Sequence, residues 1–133
     1  MSNRGIQFLS VEDVIRIHDD SIVHDGGSPG IRDRGLLESA VMMPAQQYGG
    51  AYLHPSIGAM AAAYLFHIAN NHPFVDGNKR AGVMSAIVFL YVNDVALRAT
   101  PDDLERITLA VADGSLSKDG LIAWFRSVTG ETD

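Results

Sequence analysis

The chain has 133 residues, 47% of them hydrophobic, with 16 acidic and 10 basic residues for a formal charge of −6. That length and apolar content fit one domain over residues 1–133 with a real core, and they exclude a disordered chain. The acidic balance argues against a surface that coats nucleic acid, and the lack of cysteine removes disulfides and thiolate metal sites. The opening Met1-Ser2-Asn3-Arg4-Gly5 has no apolar signal core. No apolar run reaches the roughly 18 residues of a membrane span, so a soluble cytoplasmic protein is the expectation.

Ser10 reads as a helix N-cap, with Asp13 completing an imperfect capping box. Val11, Val14, Ile15 and His18 recur at helical spacing, which predicts a first helix from about Ser10 to Asp20. His18 reads as a half-buried residue of that helix. Gly26-Gly27-Ser28-Pro29-Gly30 is a strong loop signal. It lacks the lysine and spacing of a P-loop, so it reads as a surface turn. Asp33 caps a short second helix with Leu36, Leu37, Ala40 and Val41 inside, and Pro44 stops it. From Ala45 to Leu53, two glycines stand among polar and aromatic residues. That stretch is either a flap, as a mobile loop or short hairpin over a site, or a plain connector. His54 carries no catalytic signature.

Ser56 begins a third helix that runs to about Asn70, with Ile57, Met60, Ala61, Tyr64, Leu65 and Ile68 on its main apolar face. Alanines fill most other faces, and a helix apolar nearly all round is buried. His67 reads as a satisfied core histidine. Ala81 to Val92 reads as a second helix of the same kind. Thr100-Pro101-Asp102-Asp103 starts a fifth helix, to about Asp113. Ser117 caps a sixth, with Leu121, Ile122, Trp124 and Phe125 packing and Trp124 as a core anchor. No strand pair or repeat is predicted. The expected fold is all-α, about six helices around a central helix pair.

Between that pair lies His72-Pro73-Phe74-Val75-Asp76-Gly77-Asn78-Lys79-Arg80. Gly77 allows a tight turn and a close ligand. If Asn78 starts a helix, its first N–H groups are unpaired and, with Lys79 and Arg80, form an anion site. His72 is a candidate general base, because imidazole titrates near neutral pH. Asp76 suits Mg²⁺ bridging phosphates. It also suits an Asx turn before Gly77, and the two roles are compatible. Gly77 and Asn78 shape an anion nest, and the Asn78 amide is a candidate for orienting phosphate. Arg80 can clamp phosphate oxygens, and Lys79 adds a point charge. Pro73 and Phe74 read as anchors of the loop in the core.

This nine-residue run resembles the signature loop of the Fic/Doc superfamily. Lys79 between Asn78 and Arg80 resembles the Doc, or death-on-curing, branch. Fic AMP-transferases carry glycine there and a second arginine where this chain has Val83. Gly26 to Gly30 and the run Ile31-Arg32-Asp33 through Leu37-Glu38-Ser39-Ala40 also look like the Doc pattern. The internal inhibitory segment of many Fic proteins needs a glutamate followed by glycine or asparagine. Glu12, Glu38, Glu105 and Glu131 are followed by Asp13, Ser39, Arg106 and Thr132, so none completes it.

The resemblance implies a compact helical fold and catalytic roles for His72, Asp76, Lys79 and Arg80, with phosphate held by Gly77, Asn78, Lys79 and Arg80. It implies a toxin that transfers a phosphoryl group from ATP, with Mg²⁺ on Asp76, to a threonine of elongation factor Tu. Its partner would be an antitoxin with a partly disordered, Phd-like segment. AMP transfer by the same residues stays open, as does a non-catalytic module that binds a phosphorylated ligand. Direct nucleic-acid or membrane partners are not expected.

Overall fold

The computed structural model describes residues 5–131. Met1 to Arg4, part of the stretch that lacks a signal core, lie outside the described residues, as does the Thr132 that follows Glu131. Helices α1 (Val11–Asp25), α2 (Arg34–Met42), α3 (Ile57–Asn71), α4 (Asn78–Val92), α5 (Pro101–Ala112) and α6 (Lys118–Val128) make up most of the described chain. A 3₁₀ turn at Met43–Ala45 and a two-residue hairpin, β1 (Gln47–Tyr48) with β2 (Ala51–Tyr52), join α2 to α3. The fold is all-α, as the sequence predicts. No helix among the described residues is long and apolar enough to cross a membrane.

The helix starts follow from local chemistry. Ser10 and Thr100 close full capping boxes with Asp13 and Asp103, and Asp33, Ser56 and Ser117 each accept the backbone N–H three residues on. Each cap satisfies a donor that the first turn leaves unpaired. Alanine and glycine then set the packing. Ala59, Ala61, Ala62, Ala63 and Ala69 of α3 are buried, so neighbouring helices can come close. A Cβ on Gly82 of α4 would stand 3.1 Å from the Leu65 carbonyl of α3, and one on Gly58 would stand 3.0 Å from the Arg126 backbone of α6. Tyr64, Phe74, Phe89 and Phe125 fill the space between. The Tyr64 hydroxyl also accepts the Leu9 N–H at 2.9 Å, which ties the N-terminal segment to α3.

Several expectations need correction. Helix α1 continues to Asp25, past Asp20, because Asp19 and Asp20 face solvent while His18 and Ser21 keep the inner face buried. Gly26, with φ 85°, ends it. The stretch 45–53 takes the short-hairpin form that the sequence leaves open, with strands paired over 47–52, although its flap role is not seen. It leads into the start of α3, whereas the signature loop leaves from the other end, about 21 Å along a 15-residue helix. Tyr52 packs on Phe8, and none of residues 45–53 lines the cleft at that loop. Helix α4 is not buried all round: Tyr91 is 80% exposed, and Met84 and Val92 are also open. Trp124 is half-buried against Phe125, which is the fully buried anchor. His67 is not satisfied. Its Nε2 is buried without a hydrogen-bond partner, as is Nδ1 of His54. Burial, with Lys118 and His54 nearby, pushes His67 down to about 4.

Candidate active site

The signature loop joins the end of α3 to the start of α4. His72 closes α3 in the left-handed conformation, φ 49° and ψ 54°, which costs an ordinary residue about 1–2 kcal/mol. Arg32 holds it there. Its Nε donates to the His72 carbonyl at 2.6 Å and its Nη2 to the Asn71 carbonyl at 3.0 Å. The guanidinium thus sits on the negative end of the α3 dipole. The imidazole itself is exposed.

Residues 30–33 run alongside the loop as a short ribbon. Arg32 and Asp33 donate their N–H groups to the Pro73 carbonyl at 2.7 and 3.0 Å, and Val75 donates to the Gly30 carbonyl at 3.0 Å. Phe74 is fully buried and anchors the loop, as predicted from sequence. The Asn78 amide spans the turn: its Oδ1 accepts the Phe74 N–H at 2.8 Å and its Nδ2 donates to the Phe74 carbonyl at 3.0 Å. The amide that the sequence offers for phosphate is therefore engaged in shaping the loop.

Gly77, at φ 76° and ψ 23°, precedes α4 without a side-chain cap. The free N–H groups at that helix start form the positive end of the α4 dipole, with exposed Lys79 and Arg80 beside them. Arg80 Nε lies 3.5 Å from Oδ2 of Asp25, the last residue of α1. The Asp76 carboxylate accepts the Ser28 N–H at 3.0 Å through Oδ2 and the Gly77 N–H at 2.9 Å through Oδ1. These two donors, then the Arg80 charge, hold its carboxyl below the usual range. The Asx-turn role of Asp76 is thus present.

His72, Asp76, Gly77, Asn78, Lys79 and Arg80 all line one cleft of about 590 Å³. Asp25, Gly26 and Gly27 form its other wall. Sequence reasoning missed that wall. The glycine run is not a plain surface turn, because Ser28 holds the Asp76 carboxylate and a Cβ on Gly27 would meet Asp76 Oδ2 at 2.8 Å. The clustering of Gly26, Gly27 and Gly30 was the available signal. Arg32 offered only its place in the Doc-like run and His18 nothing, because their partners lie 40 and 58 positions away.

The residues present fit a divalent cation in one way. Among the described residues no group of three His, Asp or Glu could cage a metal. Mg²⁺ is usually held by one or two carboxylates, with phosphates and water completing its shell. Each Asp76 oxygen accepts one N–H and keeps a further lone pair.

The chain belongs to the Fic/DOC family, whose family model matches residues 8–90, from before α1 to late in α4. It is similar to the Toxin Doc of Mycolicibacterium smegmatis, 38% identical over 96 residues that cover 72% of each chain. It is also similar to the Protein kinase doc of Escherichia phage P1, 30% identical over 128 residues that cover 96% of this chain and 100% of that protein. These relatives put the chain on the Doc side of the family.

Proposed function

We propose that this chain is a Doc-type toxin that transfers the γ-phosphoryl group of ATP to a threonine hydroxyl of a protein target, elongation factor Tu, and so arrests translation. The carrying observation is one cleft that holds an exposed imidazole, a carboxylate, two cations and an uncapped helix start. The Doc-side relatives, one of them called a protein kinase, support phosphoryl over AMP transfer. So does Lys79 where AMP-transferases carry glycine.

In this reading the phosphates lie on the α4 N-terminus, between Lys79 and Arg80. The target hydroxyl oxygen attacks the γ-phosphorus, the bond to the β–γ bridging oxygen breaks, and ADP leaves. His72 accepts the hydroxyl proton. Arg80 and Lys79 offset charge on the transferred group. Mg²⁺ on Asp76 would neutralise phosphate charge when bound. The antitoxin is a helical segment in this proposal. The open face of α4, between α1 and α5, runs from Arg80 past Met84 to Val92 and supports such a partner.

The test is incubation with ATP and elongation factor Tu, read by mass spectrometry of the target. A phosphate adduct from the wild type supports the reading, and an AMP adduct replaces it with Fic chemistry. His72→Ala should keep its fold and lose about 10²–10⁴ in rate. Undiminished transfer by that variant would remove His72 as the base. Nucleotide binding with no adduct would favour a phosphate-binding module.

A further inference from the structure

The signature loop is braced from α1. His18, Ile22 and Asp25 stand at i, i+4 and i+7, so they share one face of that helix. His18 is buried, with its ring on Phe74 at a centroid distance of 3.8 Å and an interplanar angle of 3°. Its Nε2 lies 2.7 Å from the Asp76 carbonyl oxygen. A carbonyl can only accept, so Nε2 carries the proton. A planar trans peptide points its C=O and N–H in opposite directions. The inward grip on the Asp76 carbonyl therefore turns the Gly77 N–H away from His18, where it donates to Asp76 Oδ1 at 2.9 Å. The same peptide leads into the first turn of α4. A Cβ on Gly77 would stand 3.3 Å from Ile22 Cδ1 and 3.5 Å from His18 Nε2, so helix and peptide are in close contact.

We infer that His18 is a positioning residue of this site. It fixes the plane of the Asp76–Gly77 peptide, and through it the Asp76 carboxylate and the anion-binding start of α4. The inference rests on the reading of the cleft as a phosphate site. It gives a buried imidazole that touches no substrate a defined task.

Two variants separate the hydrogen bond from the packing. His18→Phe keeps a ring on Phe74 and deletes the donor. His18→Gln keeps a donor near the Nε2 position and deletes the ring. The probe is Mg²⁺-pyrophosphate, followed by calorimetry. His18→Phe should bind about tenfold more weakly, the scale of a buried carbonyl left without its donor. His18→Gln should recover most of that loss, which a merely structural role would not predict. Wild-type affinity in His18→Phe, or equal losses in both variants, would overturn the inference. Nitrogen NMR of the unmodified protein tests it without any variant: the ring proton should sit on Nε2, and a proton on Nδ1 with Nε2 bare refutes it. Pyrophosphate binding without target transfer would remove the kinase reading and leave the His18 comparison standing.

Discussion

The Gly27→Ala substitution tests whether the glycine run serves the site. Gly27 has φ +111°, a conformation that side chains rarely adopt, and the added Cβ would stand 2.8 Å from Asp76 Oδ2. Ordinary contact begins near 3.4 Å, so the carboxylate must retreat by about 0.6 Å. A retreat of that size along the Ser28 bond takes it from 3.0 Å to about 3.6 Å, past hydrogen-bonding distance. Asp76 is exposed and lies outside the core, so the fold survives while the carboxylate is pushed off its Ser28 donor. Gly26→Ala is the matched control. Gly26 also has positive φ, +85°, but its Cβ would meet nothing within 4 Å. Backbone strain of about 1–3 kcal/mol applies to both variants and lowers both melting temperatures by several degrees. Displacement of Asp76 applies to Gly27→Ala alone. If Asp76 holds Mg²⁺ as proposed, losing the partner that orients it costs roughly 10–100-fold in activity or metal affinity. The assay is phosphoryl transfer at varied Mg²⁺, with both variants corrected for folded fraction. Equal activity in the two would show that the position of Asp76 is not used.

Other perturbations probe the loop and the core. Asn78→Ala should destabilise the protein by about 1–3 kcal/mol in urea unfolding, because both Phe74 backbone groups lose their partner at a part-buried site. An unchanged midpoint would mean that water replaces the amide. Stability should fall as pH drops from about 6.5 toward 4, because His67 is held down to about 4 from its ordinary 6.5 and the unfolded chain takes up the proton first. His54 is lowered by burial as well and adds in the same direction. Asp13, Asp76, Asp103 and Asp113 are all held low, so their contribution is lost at more acidic pH, below 3.8. His67→Gln should flatten the slope between pH 7 and 5, and a slope unaltered in that variant would clear His67 of the effect.

The parts of this fold that were legible in the sequence are those set by neighbours a few residues apart. Ser10, Asp33, Ser56, Thr100 and Ser117 cap their helices because a short side chain and a free N–H sit within one turn. The nine-residue loop was legible for the same reason. What sequence pattern could not supply was pairing at long range. Arg32 reads as any surface arginine until it is seen on two carbonyls at the end of α3. His18 lies on an apolar helical stripe, and the pattern cannot say that this stripe faces Asp76 rather than a plain core. Hydropathy also misjudged α4. Its apolar run is continuous, but nothing in a run shows which face the neighbouring helices leave uncovered.

The backbone accounting of the loop explains why its chemistry resides in so few side chains. The His72 carbonyl is taken by Arg32, the Pro73 carbonyl by two amides of the 30–33 ribbon, and both Phe74 groups by Asn78. The Val75 N–H goes to Gly30, the Asp76 carbonyl to His18, the Gly77 N–H to Asp76, and the Gly77 carbonyl to Ala81. A loop so paired is pre-organised, because most of its backbone polar groups have partners before any ligand arrives. Ligand binding then spends little on ordering the backbone. The His72 imidazole, the free lone pairs of Asp76, the Lys79 and Arg80 cations and the first amides of α4 are left to face the cleft. Those groups differ in kind: one imidazole, one carboxylate, and cations and helix N–H groups that suit negative charge. The proposed transfer between a nucleotide and a hydroxyl would use them all, the imidazole as base and the carboxylate for Mg²⁺, whereas binding an anion alone would leave the imidazole without a task.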